Sequence, residues 1–182
     1  ESATKFLDFP FILKEPDGSF SRGVRKVNSL EDFTFETQAF LDRSELIIMQ
    51  EYMPTEFDWR IGVFNGEPLY ACKYFMAKNH WQIKNWKAES GDGGDDGEVT
   101  TYPLWDVPPD VIKTALKATA LIGRGLYGVD IKYFNGKSHV IEINDNPTIE
   151  AGYEDEILKE DLYRKIMDVF FMRVKTAKDK QH

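Results

Sequence analysis

Asn65-Gly66 stands between two runs rich in β-branched and aromatic residues, Trp59-Arg-Ile-Gly-Val-Phe64 and Pro68-Leu-Tyr-Ala-Cys-Lys-Tyr-Phe75. Asn and Gly both tolerate positive φ, and a two-residue turn of that geometry matches the twist of paired strands. The segment is therefore committed to an antiparallel hairpin, and the fold must contain a sheet built around it. A second hairpin is predicted from Leu126 to Ile143, around Asn135-Gly136. Phe9-Pro-Phe-Ile-Leu-Lys14 and Val24-Arg-Lys-Val27 read as two more strands, joined by the turn-rich Glu15-Pro-Asp-Gly-Ser-Phe-Ser-Arg-Gly23.

Helices punctuate the strands. Ser29 with Asp32 three residues on marks a helix start, and Phe33, Phe40 and Leu41 recur at helical spacing up to about Asp42. Leu46-Ile-Ile-Met49 reads as a buried strand. Pro108-Pro109 opens an amphipathic helix that stops at Gly123, and a last helical pattern runs from about Glu154 to Lys175. Glu89 to Glu98 is glycine-rich and acidic, a mobile loop by composition, and a lid or an idle surface loop by role. The class is α+β, with two lobes meeting near Tyr52 to Asp58.

Charge and composition exclude several functions. Lys plus Arg total 23 against 31 for Asp plus Glu, a net charge of -8, which disfavours non-specific binding to nucleic acid or an anionic membrane. No apolar stretch approaches a membrane span, and the start lacks the apolar core of a signal peptide. Cys72 is alone, so neither a disulfide framework nor a cysteine metal cluster is available, and a reducing cytoplasm is the natural setting. The first residue is Glu1 rather than Met, which reads as a piece of a longer protein.

The densest chemistry lies in Gly128-Val-Asp-Ile-Lys132 and Val140-Ile-Glu-Ile-Asn-Asp-Asn-Pro147. Glu142 and Asn144 are two apart and share a strand face, and Asp130 is an even spacing before Glu142. Setting Asp130 opposite Glu142 requires an odd-length turn, so a three-residue or bulged loop is predicted in place of a two-residue Asn135-Gly136 turn. Two carboxylates and an amide oxygen suit Mg²⁺ bridging to substrate phosphates; the bland alternative is acidic decoration of a solvated strand. Lys14, with Gly18 and Gly23 in the loop after it, offers a point charge and close backbone approach to phosphate, or is an ordinary hairpin with a flexible tip. Asp58 and Arg60 share a face, suited to a ribose hydroxyl and an anion, or form a surface ion pair. Residues 69–88 hold Lys73, Lys78, His80, Lys84 and Lys87 with interleaved aromatics and no acid, a contact for polyphosphate or peptide or an exposed hairpin.

Taken in order, Lys14 with its glycine loop, Gln50-Glu-Tyr-Met53, Asp58-Trp-Arg60, Gly128-Val-Asp130 and Glu142-Ile-Asn-Asp-Asn-Pro147 resemble the motif series of the RimK-type ATP-grasp ligases, over roughly residues 9 to 150. The resemblance implies an ATP-grasp fold without its N-terminal part: a partial small lobe over residues 1–53 and a large lobe with the metal site over 54–182. It implies ATP and two Mg²⁺ or Mn²⁺ ions as cofactors. Lys14 then matches the lysine on the α and β phosphates, and Gly18, Ser19 and Gly23 lie in the loop that covers them. Gln50, Glu51 and Tyr52 match the adenine hinge, and Asp58 matches the ribose ligand. Arg60 matches an arginine facing the reacting groups, and Asp130, Glu142 and Asn144 match the metal ligands. The implied activity is a carboxylate–amine ligase working through an acyl phosphate, with an amino acid or peptide as substrate. An inactive or regulatory ATP-binding module and a phosphotransferase on the same fold are the other readings. Where glutamate-adding members carry Arg-Ser-Asn and a small residue before the proline, this chain has Asn79-His-Trp-Gln82 and Asn146, which makes His80 and Gln82 candidates for nucleotide or substrate contact.

Overall fold

The computed structural model describes residues 5–16, 18, 23–85 and 95–180. The chain divides into two compact units, Glu1–Pro54 with Asn79–Asp95 and Thr55–Lys78 with Asp96–His182. The first boundary follows Pro54, and the segment Asn79–Asp95 returns to the first unit, where a single cut after residue 53 was expected.

The first unit is a three-stranded antiparallel sheet covered on one face by a helix. Strands β1 (Phe11–Lys14), β2 (Val24–Val27) and β3 (Ile48–Glu51) lie in the order β2-β1-β3. Alternation sends Phe11, Leu13 and Val27 to one face, where they bury Phe40 and hold Phe33 and Met49 against it. Phe40 belongs to α1 (Leu30–Leu41), which starts as its sequence dictates: Ser29 Oγ accepts the Asp32 backbone N–H at 3.1 Å, and Asp32 Oδ2 accepts the Asn28 N–H at 3.1 Å. Such reciprocal capping contributes about 1 kcal/mol. The third strand corrects the sequence reading, because it begins at Ile48 and is only partly buried, with Leu46 exposed. Only Ile48 and Met49 of the apolar run pair with β1, and Leu46 and Ile47 precede the strand.

The second unit is a five-stranded antiparallel sheet. Its strands are β4 (Phe57–Phe64), β5 (Glu67–Phe75), β8 (Val99–Tyr102), β9 (Leu126–Phe134) and β10 (Lys137–Asn144), in the order β10-β9-β4-β5-β8. Apart from both of these sheets, the two-residue strands β6 (Lys84–Asn85) and β7 (Asp95–Asp96) pair with each other. The β4–β5 turn is Asn65-Gly66 with φ of 56° and 85°, as the dipeptide requires. On one face Trp59, Ile61, Val63, Ala71, Val129 and Ile131 pack with Val111 and Ala115 of α2 (Pro109–Ala120), which starts on Pro109 as predicted. On the other face Phe64, Leu69, Tyr70 and Cys72 pack with Leu162 of α3 (Glu160–Asp179). The last helix starts later than its apolar spacing suggested, because residues 151–159 form turns and Lys159 takes a φ of 49°. Of the predicted loop from Glu89 to Glu98, residues 89–94 lie outside the described residues and Asp95–Asp96 form β7.

The β9–β10 hairpin departs from expectation informatively. Its turn is the two-residue Asn135-Gly136, with φ of 50° and 74° and Phe134 paired to Lys137. Left alone, that turn would set Asp130 and Glu142 on opposite faces. A register shift between Val140 and Glu142 restores the pairing, so Asp130 lies directly across from Glu142. The extra residue is in the strand, at Ile141, and not in the loop.

Candidate active site

Each unit carries part of the predicted constellation. In the first, Lys14 and Ile12 share the sheet face opposite α1, with Lys26 and Gln50 flanking Ile12 in register. Glu51 pairs with Phe11, so its side chain belongs to the other face and a hinge contact from it would come from the backbone. The β1–β2 connection is closed by the Glu15 N–H donating to the Gly23 carbonyl at 3.2 Å, and the Gly18 N–H donates to the Glu15 carbonyl at 3.4 Å. Gly23 has a φ of 68°, which explains a glycine there. Ser19 lies outside the described residues.

Around the hinge stands an aromatic group that the motifs did not include. The Lys26 ammonium sits 4.6 Å from the Tyr52 ring centroid and 5.8 Å from that of Trp81. Tyr52 and Trp81 meet edge to face at 6.1 Å, and His80 stacks on Trp81 at 5.9 Å. His80 Nδ1 accepts the Gln82 N–H at 3.1 Å, so these two residues make a local turn beside the tyrosine's neighbour. The sequence signal for Trp81 was its place in the basic, aromatic stretch. Lys73 of that stretch goes elsewhere: its ammonium is caged on the second unit's core side by Phe57, Trp59 and Tyr102, at 4.2, 5.0 and 4.7 Å. It is thus engaged in the sheet's own packing and not offered to a polyphosphate.

The second unit gathers Asp58, Arg60, Asp130, Glu142 and Asn144 on the sheet face away from α2. Arg60 pairs with Asp130 across β4 and β9, and its Nε and Nη2 donate to Asp130 Oδ1 and Oδ2, each at 2.7 Å. Lys132 Nζ donates to Asp58 Oδ1 and to Thr55 Oγ1, each at 2.6 Å, and the Thr55 hydroxyl donates to Asp58 at 3.1 Å. These side chains are 10% to 17% exposed, so both pairs are largely removed from water. Burial raises the Asp58 pKa above its ordinary value, outweighing the ammonium of Lys132. For Arg60 burial works against the charge, and the Asp130 carboxylate more than offsets it, so the guanidinium is held protonated.

Asn144 Nδ2 stands 3.4 Å from Asp130 Oδ2 and 3.4 Å from the Gly128 carbonyl. Gly128 is required for closeness: a Cβ there would lie 2.8 Å from the Pro147 Cβ and 3.5 Å from the Arg60 Cδ. Beyond Arg60, the Tyr74 ring lies 4.8 Å from the guanidinium carbon, and the Tyr74 hydroxyl donates to Glu154. Glu154 is buried and also accepts the Glu150 N–H at 2.8 Å. Lys132, Tyr74 and Glu154 were not singled out from sequence. Lys132 was reachable, since it lies two residues after Asp130 on the same face; the contacts of Tyr74 and Glu154 depend on a loop returning over the sheet.

The donor set fits a hard divalent cation. Asp130 and Glu142 are register partners and Asn144 is two residues on, so two carboxylates and a side-chain amide share one face. Among the described residues no group of three His, Cys, Asp or Glu side chains is arranged for a metal.

No family model matches the sequence. The chain is 29% identical over 153 residues to the Glutamate--LysW ligase ArgX of Sulfolobus acidocaldarius, covering 79% of this chain and 49% of that protein. It is 26% identical over 144 residues to a probable alpha-L-glutamate ligase of a Marinomonas species, covering 78% of this chain and 44% of that protein. The chain thus spans about half the length of the curated relatives it matches. Its fold is similar to that of the D-alanine--D-alanine ligase from Bacillus anthracis, with a TM-score of 0.69 at 17% identity over 97% of this chain and 59% of the other. The same enzyme complexed with ATP matches with a TM-score of 0.65 at 14% identity, over 97% of this chain and 55% of the other. Sheet order and relatives agree: the chain has the fold of the ATP-grasp ligases and is similar in sequence to glutamate ligases of the RimK type.

Proposed function

We propose that this chain is the nucleotide- and metal-binding part of an ATP-dependent carboxylate–amine ligase with an amino acid or peptide among its substrates. The observation that carries the reading is the register shift in β10, which brings Glu142 opposite Asp130 where the turn alone would separate them. A strand with no chemical role gains nothing from such a correction.

In the reaction so assigned, a substrate carboxylate oxygen attacks the γ-phosphorus of ATP and ADP leaves, giving an acyl phosphate. An amine then attacks the acyl carbon, and inorganic phosphate departs with the C–O bond electrons as the amine loses its proton. Lys14 is assigned to the α and β phosphates, the loop through Gly18, Ser19 and Gly23 to covering them, and the hinge from Gln50 to Tyr52 to adenine. Trp81 and His80 line the same hinge by their contacts to Tyr52 and to each other. Asp130, Glu142 and Asn144 would hold Mg²⁺ or Mn²⁺, taken as two ions, which when bound neutralise charge on the phosphates. Arg60 supplies a cation for the developing acyl phosphate, and Asp58 a ribose contact that its bond to Lys132 would orient. The names of the relatives favour glutamate as the amino acid, and the single thiol suits the cytoplasm.

Calorimetric titration of Mg-ATP into the chain tests the reading. Lys14→Ala and Glu142→Ala are each expected to weaken binding roughly tenfold or more. Binding that neither change affects would place nucleotide elsewhere and end this assignment.

A further inference from the structure

The Asp130 carboxylate, a proposed metal ligand, is already taken. Arg60 occupies both of its oxygens at 2.7 Å, in the fork geometry that suits a guanidinium to a carboxylate. Asn144 turns its amide nitrogen, not its oxygen, towards the same carboxylate. Both donors point where a cation would have to sit, and a cation cannot accept a hydrogen bond. A divalent ion on Asp130 would also stand beside the guanidinium charge in a site shielded from water, where like charges repel strongly.

Arg60 has somewhere to go. Its guanidinium carbon is 4.8 Å from the Tyr74 ring, and Glu154 anchors that ring by its hydroxyl. A planar cation can shift along an aromatic face while keeping its attraction to it. Gly128, with no side chain beside the Arg60 stem, leaves that movement unobstructed.

We propose that Arg60 is a resident counter-ion of Asp130 which an incoming divalent cation must displace, so that loading the metal and releasing the guanidinium towards an anionic substrate group are one coupled event. The proposal rests on the metal reading of Asp130, Glu142 and Asn144 given above. Coupling of this kind is reciprocal: whatever draws Arg60 off Asp130 strengthens metal binding, and bound metal strengthens the hold of Arg60 on an anion by the same factor. Metal alone would bind weakly, and metal with an anionic partner much better. Asn144 would follow by rotating its amide to present oxygen.

The test is Mn²⁺ binding without nucleotide, read by the electron paramagnetic resonance of free Mn²⁺, in the parent chain, Arg60→Gln, Arg60→Lys and Glu142→Gln. Arg60→Gln should bind Mn²⁺ roughly tenfold more tightly than the parent, since a charge-assisted bidentate pair no longer competes. Arg60→Lys keeps the charge but loses the fork, so it should lie between the two. Equality of Arg60→Lys and the parent would reduce the effect to charge repulsion and overturn the displacement. In nitrogen-15 spectra the Arg60 Nε–H, assigned by its loss in Arg60→Lys, should exchange slowly in the free chain and rapidly once Mg²⁺ is added. An unchanged Nε–H at saturating Mg²⁺ would overturn the proposal even if affinities moved. Glu142→Gln separates the two readings: weaker Mn²⁺ binding there, with no gain in Arg60→Gln, leaves the metal site standing and the counter-ion role refuted. No bound Mn²⁺ in any of the four chains overturns both.

Discussion

The Tyr70 ring fills the space left by its register partner Gly62, where a Cβ would lie 2.3 Å from a ring carbon, and the Tyr70 hydroxyl is buried without a hydrogen-bond partner. Burial also pushes its pKa up, so it stays a neutral phenol that forgoes its bonds to water. Removing a buried hydroxyl that has no partner should help: Tyr70→Phe is expected to stabilise the second unit by about 1 kcal/mol, seen as a higher urea midpoint at unchanged slope. A lower midpoint would mean that the hydroxyl is satisfied in solution. At this scale the sequence was legible where chemistry follows from alternation, as with Glu142 and Asn144 sharing a face. It was silent on Lys132 bonding Asp58 and on Glu154 bonding Tyr74, because such partners are fixed by register and by a returning loop, neither of which is a local property.

Among the elements, the two Asn-Gly turns, the Ser29 cap and the proline-started helix were readable because each is set by a few adjacent residues whose φ or hydrogen bonding is forced. The start of β3 and the start of α3 were not, since apolar spacing continues past both and tertiary pairing decides where the element begins. The β10 shift shows the limit most clearly: parity demanded an extra residue in the hairpin, and only the strand pairing revealed it as Ile141. Deleting Ile141 removes the extra residue, so Val140 opposite Ile131 is followed directly by Glu142 opposite Asp130, and Glu142 and Asn144 keep their face. Mg-ATP affinity is then expected to stay within about threefold of the parent. Destabilisation should be about 1 kcal/mol, from loss of the half-buried Ile141 side chain. A tenfold loss of affinity would show that the local bend of the bulge, and not the register alone, positions the pair.

For the molecule as a whole, Cys72 offers a native reporter. It is fully buried in the central hairpin of the second unit, and burial pushes its thiol up to about 12. A thiol raised this far has little thiolate at pH 8, and the reagent cannot reach it, so a disulfide-exchange dye should react only when the second unit opens. Reaction rates should rise with urea in step with loss of circular dichroism; fast reaction in buffer would show that the hairpin opens on its own. The path of the backbone has a further consequence. It leaves the first unit after Pro54, comes back at Asn79 and departs again after Asp95. The first unit is therefore stitched into the gene at two separate places. Neither unit can be transplanted as one uninterrupted cassette, and a graft that stops at Pro54 would leave behind Trp81, against which Tyr52 and Lys26 are set.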